Sequence, residues 1–331
     1  MLISGEIMTT HSMLFSEHRT IPSANPAVAL HLRHKRLASQ TRFDAAHTVV
    51  LMHGATYSSG SLFDTPIDGE SFLDYLARAG FDVWAVDVSG SGGSTRPPEM
   101  QQPAALNPPL VTTEQGVRDF SDAVTYVLQH NQLTQVNIIG MSWGGSVTGS
   151  FTTRNADKVR RLGLIAPQWL NNGPSRLDSG GELGAWRLVT LAQVQQHWLA
   201  GVPQHKRDDI IPDGVFDAWV ANTLSEEPDE ALRASGTIRV ANGPVQDIRD
   251  YWRADRPFYQ PAEIRVPLLL VHGEWDVDVP LPVAQDWFLH ATGAPWKRWL
   301  EIGEATHMMV LEKNRRQVFA ALAGFLLETH D

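Results

Sequence analysis

Val136-Asn137-Ile138-Ile139-Gly140-Met141-Ser142-Trp143-Gly144 runs from a short apolar strand into a serine held between two glycines. A strand that turns sharply into a helix forces its central residue into strained backbone angles and draws neighbouring chain against it. The flanking positions must then lack bulky side chains, and the central side chain projects above the sheet. The small residues that follow, Gly145, Ser146 and Gly149, suit the start of a closely packed helix. Ser142 is therefore the candidate nucleophile. A bare GxSxG also arises by chance, so its meaning depends on what surrounds it.

Apolar runs without polar alternation recur around this turn, at Thr48 to Met52, Val83 to Val88, Val136 to Ile139 and Leu162 to Ile165. Helical periodicity fills the intervals near Phe72 to Ala79, near Gly116 to His130 and after Ser142. Such strands, separated by amphipathic helices, predict a parallel sheet covered on both faces. Ahead of them, residues 12–36 read as two strands, Met13-Leu14-Phe15 and Ala27 to Leu32, around the turn Pro22-Ser23-Ala24-Asn25-Pro26, an antiparallel entry to the sheet. The alternation breaks at Pro167. Residues 168–260 are polar, helical and rich in tryptophan; strand signals resume at Val266 to Val271 and near Lys297 to Leu300, and an amphipathic helix over Asn314 to Leu327 closes the chain. The expected organisation is an α/β core of residues 1–167 and 261–331, with residues 168–260 inserted as a helical cap.

A serine hydroxyl is a weak nucleophile at neutral pH. It needs a histidine base, and that imidazole needs a carboxylate to fix its tautomer and stabilise the imidazolium. The stretch Val271-His272-Gly273-Glu274-Trp275-Asp276-Val277-Asp278-Val279-Pro280 leaves a strand and enters a helix, which puts its acids at the carboxyl edge of the sheet, where open α/β folds bind ligands. Asp276 is the chosen acid, with Asp278 and Glu274 as competitors; Asp278 also reads as a helix cap near Pro280. Of thirteen histidines, His307 in Gly303-Glu304-Ala305-Thr306-His307-Met308 occupies the loop between the last strand and the last helix, and is the candidate base. The oxyanion hole is assigned to the backbone N–H of Trp143 and to one from Met52-His53-Gly54-Ala55-Thr56, with Ala55 preferred over Thr56; His53 reads as a structural residue that holds this loop.

Together these segments resemble the α/β-hydrolase superfamily, in the branch with a helical cap between the sixth and seventh core strands. Asp87-Val88-Ser89-Gly90-Ser91-Gly92-Gly93-Ser94 is similar to that family's DxRGxGxS segment, with Ser89 where arginine is usual, a departure that touches a structural ion pair and not the chemistry. The order serine, acid, histidine is also the family's. The resemblance covers nearly the whole chain from Thr48. It implies an eight-stranded, mostly parallel, doubly wound sheet and a hydrolytic serine enzyme that needs no cofactor.

The net charge of −10 over 331 residues is spread along the chain, and the one basic cluster, Arg33-His34-Lys35-Arg36, reads as a solvated strand end; both argue against a nucleic-acid partner. The absence of cysteine excludes disulfides, thiolate chemistry and cysteine-ligated zinc. Met1 to Thr20 carries Glu6 and Glu17 and no adequate apolar h-region, and no later stretch approaches a membrane span, so a soluble, cytoplasmic protein is expected. Gly90-Ser91-Gly92-Gly93 misses the GxGxxG spacing, there is no GxxxxGK or HExxH, and His31 and His34 fall on opposite faces of a strand; neither a nucleotide nor a metal site is expected.

The expected activity is cleavage of a small or medium apolar carboxylic ester through an acyl-enzyme. Five of the eleven tryptophans fall in residues 168–260 and suit either a pocket wall or the interior of a small insert; Trp169 and Trp143, with Thr56, are placed near substrate. The tryptophan after the nucleophile also resembles prolyl iminopeptidases. That alternative would need carboxylates such as Glu182, Glu226 or Glu227 for a free amino terminus, and this chain has HGAT where those enzymes carry HGGPG. A lactonase, a carbon–carbon bond hydrolase and a non-catalytic ligand receptor complete the alternatives.

Overall fold

The computed structural model describes residues 13–329; the readings made for the first dozen residues lie outside them. The strands are β1 (Leu14–Pro22), β2 (Ala29–Leu37), β3 (Thr48–Met52), β4 (Asp82–Asp87), β5 (Val136–Met141), β6 (Val159–Ile165), β7 (Trp186–Thr190), β8 (Thr237–Ala241), β9 (Leu268–Gly273) and β10 (Lys297–Ile302). Eight of them form one sheet in the order β1-β2-β4-β3-β5-β6-β9-β10. Only β2 runs against its neighbours, pairing antiparallel with both β1 and β4; the other pairings are parallel.

The central strands are apolar on both faces because both faces are covered. Val49 and Leu51 of β3 join one core with α1 (Ser59–Phe63), α2 (Phe72–Arg78) and the closing helix Arg315–Leu327, where Phe72 stacks on Phe319 at 4.4 Å between centroids. Their neighbours Val50 and Met52 point the opposite way, into a second core with α3 (Thr113–Asn131) and α4 (Trp143–Arg154). Each fully buried large side chain contributes roughly 1.5–3 kcal/mol, so the two layers together hold the strand ends rigidly enough to carry a site.

Three expectations need correction. Strand β1 continues from Phe15 to Pro22, because an edge strand keeps a polar outer face and its Glu17 and Arg19 need not interrupt it. The basic run is no solvated strand end. Strand β2 lies between two partners, so Arg33 and Lys35 are only 12% exposed and are paired with Asp64, Glu226 and Asp74, while His34 is buried and stacked on Trp84. The excursion between β6 and β9 is not purely helical. It contains α5 (Val194–Trp198), α6 (Val215–Ser225), α7 (Glu230–Ala234) and α8 (Gly243–Asp247), but also an antiparallel pair, β7 with β8, in which Trp186 faces Ala241 and Thr190 faces Thr237. After β9 come α9 (Leu281–His290), β10 and finally α10, the Arg315–Leu327 helix already described. Among the described residues no helix is long and apolar enough to cross a membrane.

Candidate active site

Ser142 stands between the end of β5 and the start of α4 with φ 57° and ψ −119°, a conformation that costs a non-glycine residue on the order of 1–3 kcal/mol and must be imposed by its surroundings. The two flanking glycines are what allow it. A Cβ on Gly144 would lie 2.5 Å from the Met52 carbonyl oxygen, and one on Gly140 would lie 2.5 Å from the Gly144 carbonyl oxygen. The turn is further tied down by the Ser142 N–H, which donates to the Ile165 carbonyl at 2.8 Å.

Ser142 opens into a cavity of about 490 Å³ whose floor is the edge of the sheet and whose roof is the excursion. His307 lines the same cavity. Its Nδ1 bonds Asp276 Oδ2 at 2.7 Å, and since a carboxylate only accepts, Nδ1 carries the proton and Nε2 is left as the basic atom. Asp276 is itself clamped: Oδ1 accepts from the N–H groups of Asp278 at 2.9 Å and Val279 at 2.8 Å, and the residue is 5% exposed. No hydrogen bond joins the Ser142 hydroxyl to the imidazole, a gap common before substrate is bound.

Electrostatics favour a charged imidazole. Burial opposes it, but the Asp276 carboxylate, with Asp278 and Glu312 behind it, outweighs burial and lifts His307 to about 9. The competing acids are committed elsewhere. Asp278 is not a helix cap; its side chain takes His197 Nε2 at 3.2 Å and lies 3.4 Å from Arg176. Glu274 accepts the Glu304 N–H at 2.8 Å, away from the cavity. Asp276, Asp278 and His307 also bring ligand-type atoms within 4.8 Å of one another, yet each is already spent on the partners just named.

Trp143 is the first residue of α4, whose first N–H groups have no partner within the helix, and Ala55 and Thr56 line the cavity opposite. His53 holds this loop. Its Nε2 accepts the Val88 N–H at 3.2 Å and its Nδ1 donates to the Gly54 carbonyl at 2.7 Å, an arrangement that fixes the neutral form, which burial also favours. Ser89, where the family carries arginine, instead donates both its N–H and its hydroxyl to Asp119.

The aromatic assignments are corrected. The Trp143 indole is buried in the second core, donates to Thr113 Oγ1 at 2.9 Å and packs over Gly116, so only its backbone faces the site. Trp169 lines a smaller neighbouring cavity of about 40 Å³; it packs against Trp252 and Tyr259 and donates to Asp286. Nor do the carboxylates suggested for an amino terminus reach the cavity: Glu226 is held by Arg33 and Ser58, Glu227 accepts from the N–H groups of Asp229 and Arg239, and Glu182 is exposed on a loop.

Several cavity residues escaped the sequence reading, namely Tyr57, Gln168, Arg176, Arg187 and His197. Arg187 sits on β7, and a charged residue set between apolar Trp186 and Leu188 was the available signal. Glu312 was missed too. It is buried behind His307, accepts from the N–H and hydroxyl of Thr306 and from Trp198 Nε1, and burial pushes its carboxyl up to about 7.

A family model described as alpha/beta hydrolase fold matches residues 47–314. A curated relative, the poly(3-hydroxyalkanoate) polymerase subunit PhaC of Haloferax mediterranei, is 24% identical over 157 residues, 47% of this chain. The match spans only 28% of that protein's length. Among solved structures, the 2-hydroxy-6-oxo-6-phenylhexa-2,4-dienoate hydrolase of Rhodococcus sp. strain RHA1 superposes with a TM-score of 0.61 at 16% identity, covering 96% of this chain and 100% of that one. A thermophilic esterase from Thermogutta terrifontis gives 0.58 at 17% identity, covering 94% and 98%. At these identities the likeness concerns the fold.

Proposed function

The chain belongs to the alpha/beta hydrolase fold family, and from that premise we propose that it is a serine hydrolase acting on carboxylic esters, with Ser142 as nucleophile, His307 as base and Asp276 as the orienting acid. The observation that carries this reading is one cavity into which a strained serine and a carboxylate-locked histidine both open. The insertion acts as its cap.

In this reading His307 Nε2 takes the Ser142 proton as the hydroxyl attacks the ester carbonyl. The N–H groups of Trp143 and Ala55 receive the negative oxygen, each such donor being worth about 10²–10³ in rate. The imidazolium, stabilised by Asp276, returns its proton to the leaving alkoxide. Water then repeats the sequence on the acyl-enzyme and frees the acid. Because only neutral imidazole is a base, and Asp276 holds the ring at about 9, kcat/KM on a neutral ester rises with pH up to that value.

The test is labelling by a fluorophosphonate probe together with turnover of short p-nitrophenyl esters, lactones and aminoacyl amides. Labelling and ester turnover that vanish in Ser142→Ala support the reading. A wild-type protein that takes no label, or a Ser142→Ala variant that turns over every acyl substrate as fast as wild type, overturns it.

A further inference from the structure

Among the described residues, Arg187 is the one cavity cation without a carboxylate. Arg176 and His197 share Asp278, and His307 has Asp276. Arg187 makes three hydrogen bonds, all to neutral acceptors: Nη1 donates to the Ala241 carbonyl at 3.0 Å and to Asn242 Oδ1 at 3.2 Å, and Nη2 donates to Thr56 Oγ1 at 3.0 Å. A guanidinium has five N–H groups, so the three neutral partners leave two donors, Nε–H and one on Nη2, and the whole of the charge unanswered. Among the described residues no acid lies within ion-pair distance of it. Burial is the leading influence on it and pulls its pKa down to about 10, still charged at neutral pH.

A buried cation costs free energy unless something negative meets it. Other arginines here meet carboxylates, as Arg33 meets Asp64 and Glu226, Arg249 meets Asp178 and Arg315 meets Asp68, while Arg96 and Arg161, which bond backbone carbonyls, lie outside this cavity. Arg187 departs from the rule where its side chain lines the cavity that holds Ser142, and it is tied by Thr56 to the loop assigned to the oxyanion. The rest of the wall is mixed, with apolar Leu62, Met141, Val189, Val194 and Val277 beside polar Gln168, Thr190 and Gln193.

We propose that Arg187 is an anion subsite, and that the ester accepted here carries a carboxylate on its acyl portion, a few bonds from the scissile carbonyl. The fork of the guanidinium suits two carboxylate oxygens, and the carbonyl is then delivered past Thr56 to Ala55 and Trp143. This refines the apolar ester expected from the sequence to an acyl chain with an apolar body and a charged end. The inference rests on the hydrolase reading for turnover, but the subsite itself is testable without chemistry.

The experiment uses the Ser142→Ala protein and isothermal titration calorimetry with monomethyl glutarate against dimethyl glutarate, which differ in the carboxylate alone. The expected result is tighter binding of the monoester by about ten- to a hundredfold, the range of a charge-assisted bidentate contact. In Ser142→Ala/Arg187→Gln that preference collapses, while Ser142→Ala/Arg187→Lys keeps part of it. Equal binding of the two esters by Ser142→Ala protein overturns the proposal even if neither arginine variant folds, and so does a preference that survives Arg187→Gln. An Arg187-dependent preference in a protein that takes no fluorophosphonate label would retain the subsite and remove the serine-hydrolase reading, so the two failures are separable.

Discussion

In Asp276→Asn the backbone decides which way the new amide points. Asp276 spends Oδ1 on the N–H groups of Asp278 and Val279 and Oδ2 on His307 Nδ1. Asparagine offers one oxygen and one NH2 in their place. Turning the NH2 toward two backbone donors would leave both unpaired in a buried position, at about 1–3 kcal/mol each. The oxygen therefore stays on the backbone side and the NH2 faces the imidazole. His307 Nδ1 must then accept, its proton moves to Nε2, and the atom required to receive the Ser142 proton is already occupied. The side chain keeps its shape, so folding is preserved while kcat falls about 10⁴-fold, the loss known to follow this tautomer reversal, equivalent to about 5.5 kcal/mol of barrier. Steady-state turnover of an activated ester, with active sites counted by a fluorophosphonate titration and folding checked by circular dichroism, measures it. A kcat within about tenfold of wild type in the folded variant would refute both the acid assignment and the orientation argument, and would hand the role to Asp278.

Asp278→Asn should move the pH profile in the opposite sense to a loss. Its carboxylate lies within 4.8 Å of the His307 and Asp276 ligand atoms, a separation worth about 0.9 kcal/mol in a water-like medium and about 3.5 kcal/mol at an effective dielectric of 20. Arg176 and His197 already answer much of that charge, and Glu312 and Asp276 remain facing the ring, so the smaller figure applies. The acid limb of kcat/KM then falls by about 0.6 pH unit and activity at pH 7 rises; a limb that stays put or climbs refutes the coupling. Trp143→Phe removes the bond to Thr113 from a buried site and should cost about 1–3 kcal/mol of stability, read as a lower Tm, with kcat on esters unchanged. A folded Trp143→Phe protein that loses ester turnover would return the indole to the substrate.

The strands and helices of the sheet were legible because each is set by its own residues: apolar runs such as Val49 to Met52 and Ile138 to Met141 can only be buried on both faces, and glycines at 140 and 144 can only mean close approach. The loop positions of His307 and Asp276 followed from the same alternation, since a residue just past a strand end lies at one edge of a parallel sheet. What failed was whatever depends on a distant partner. Strand β7 is completed by β8 some fifty residues on, so neither looks like a hairpin locally. The charge run in β2 looks solvated until Asp64, Asp74 and Glu226 are brought to it. Trp143 and Trp169 were misplaced because composition shows that an aromatic residue needs a buried home but not which side of the sheet supplies it.

Among the polar ties that fasten residues 168–260 to the core, three bear on how the cavity works. Glu226 at the end of α6 holds Arg33 and Ser58, behind the loop that leads into α1. Arg187 of β7 reaches Thr56, next to the proposed oxyanion donor. Trp198 at the end of α5 donates to Glu312, which in turn takes the N–H and hydroxyl of Thr306 beside His307. Two of the three ties thus end within one residue of a group assigned to the chemistry. An apolar cluster alone would let the insertion slide over the sheet with little directional cost, whereas buried hydrogen bonds are lost outright when their geometry shifts. The roof of the cavity and the residues proposed to handle the proton and the negative oxygen are therefore positioned as one unit, so a substrate that fills the roof would also press on the Thr56 and Thr306 loops beside them.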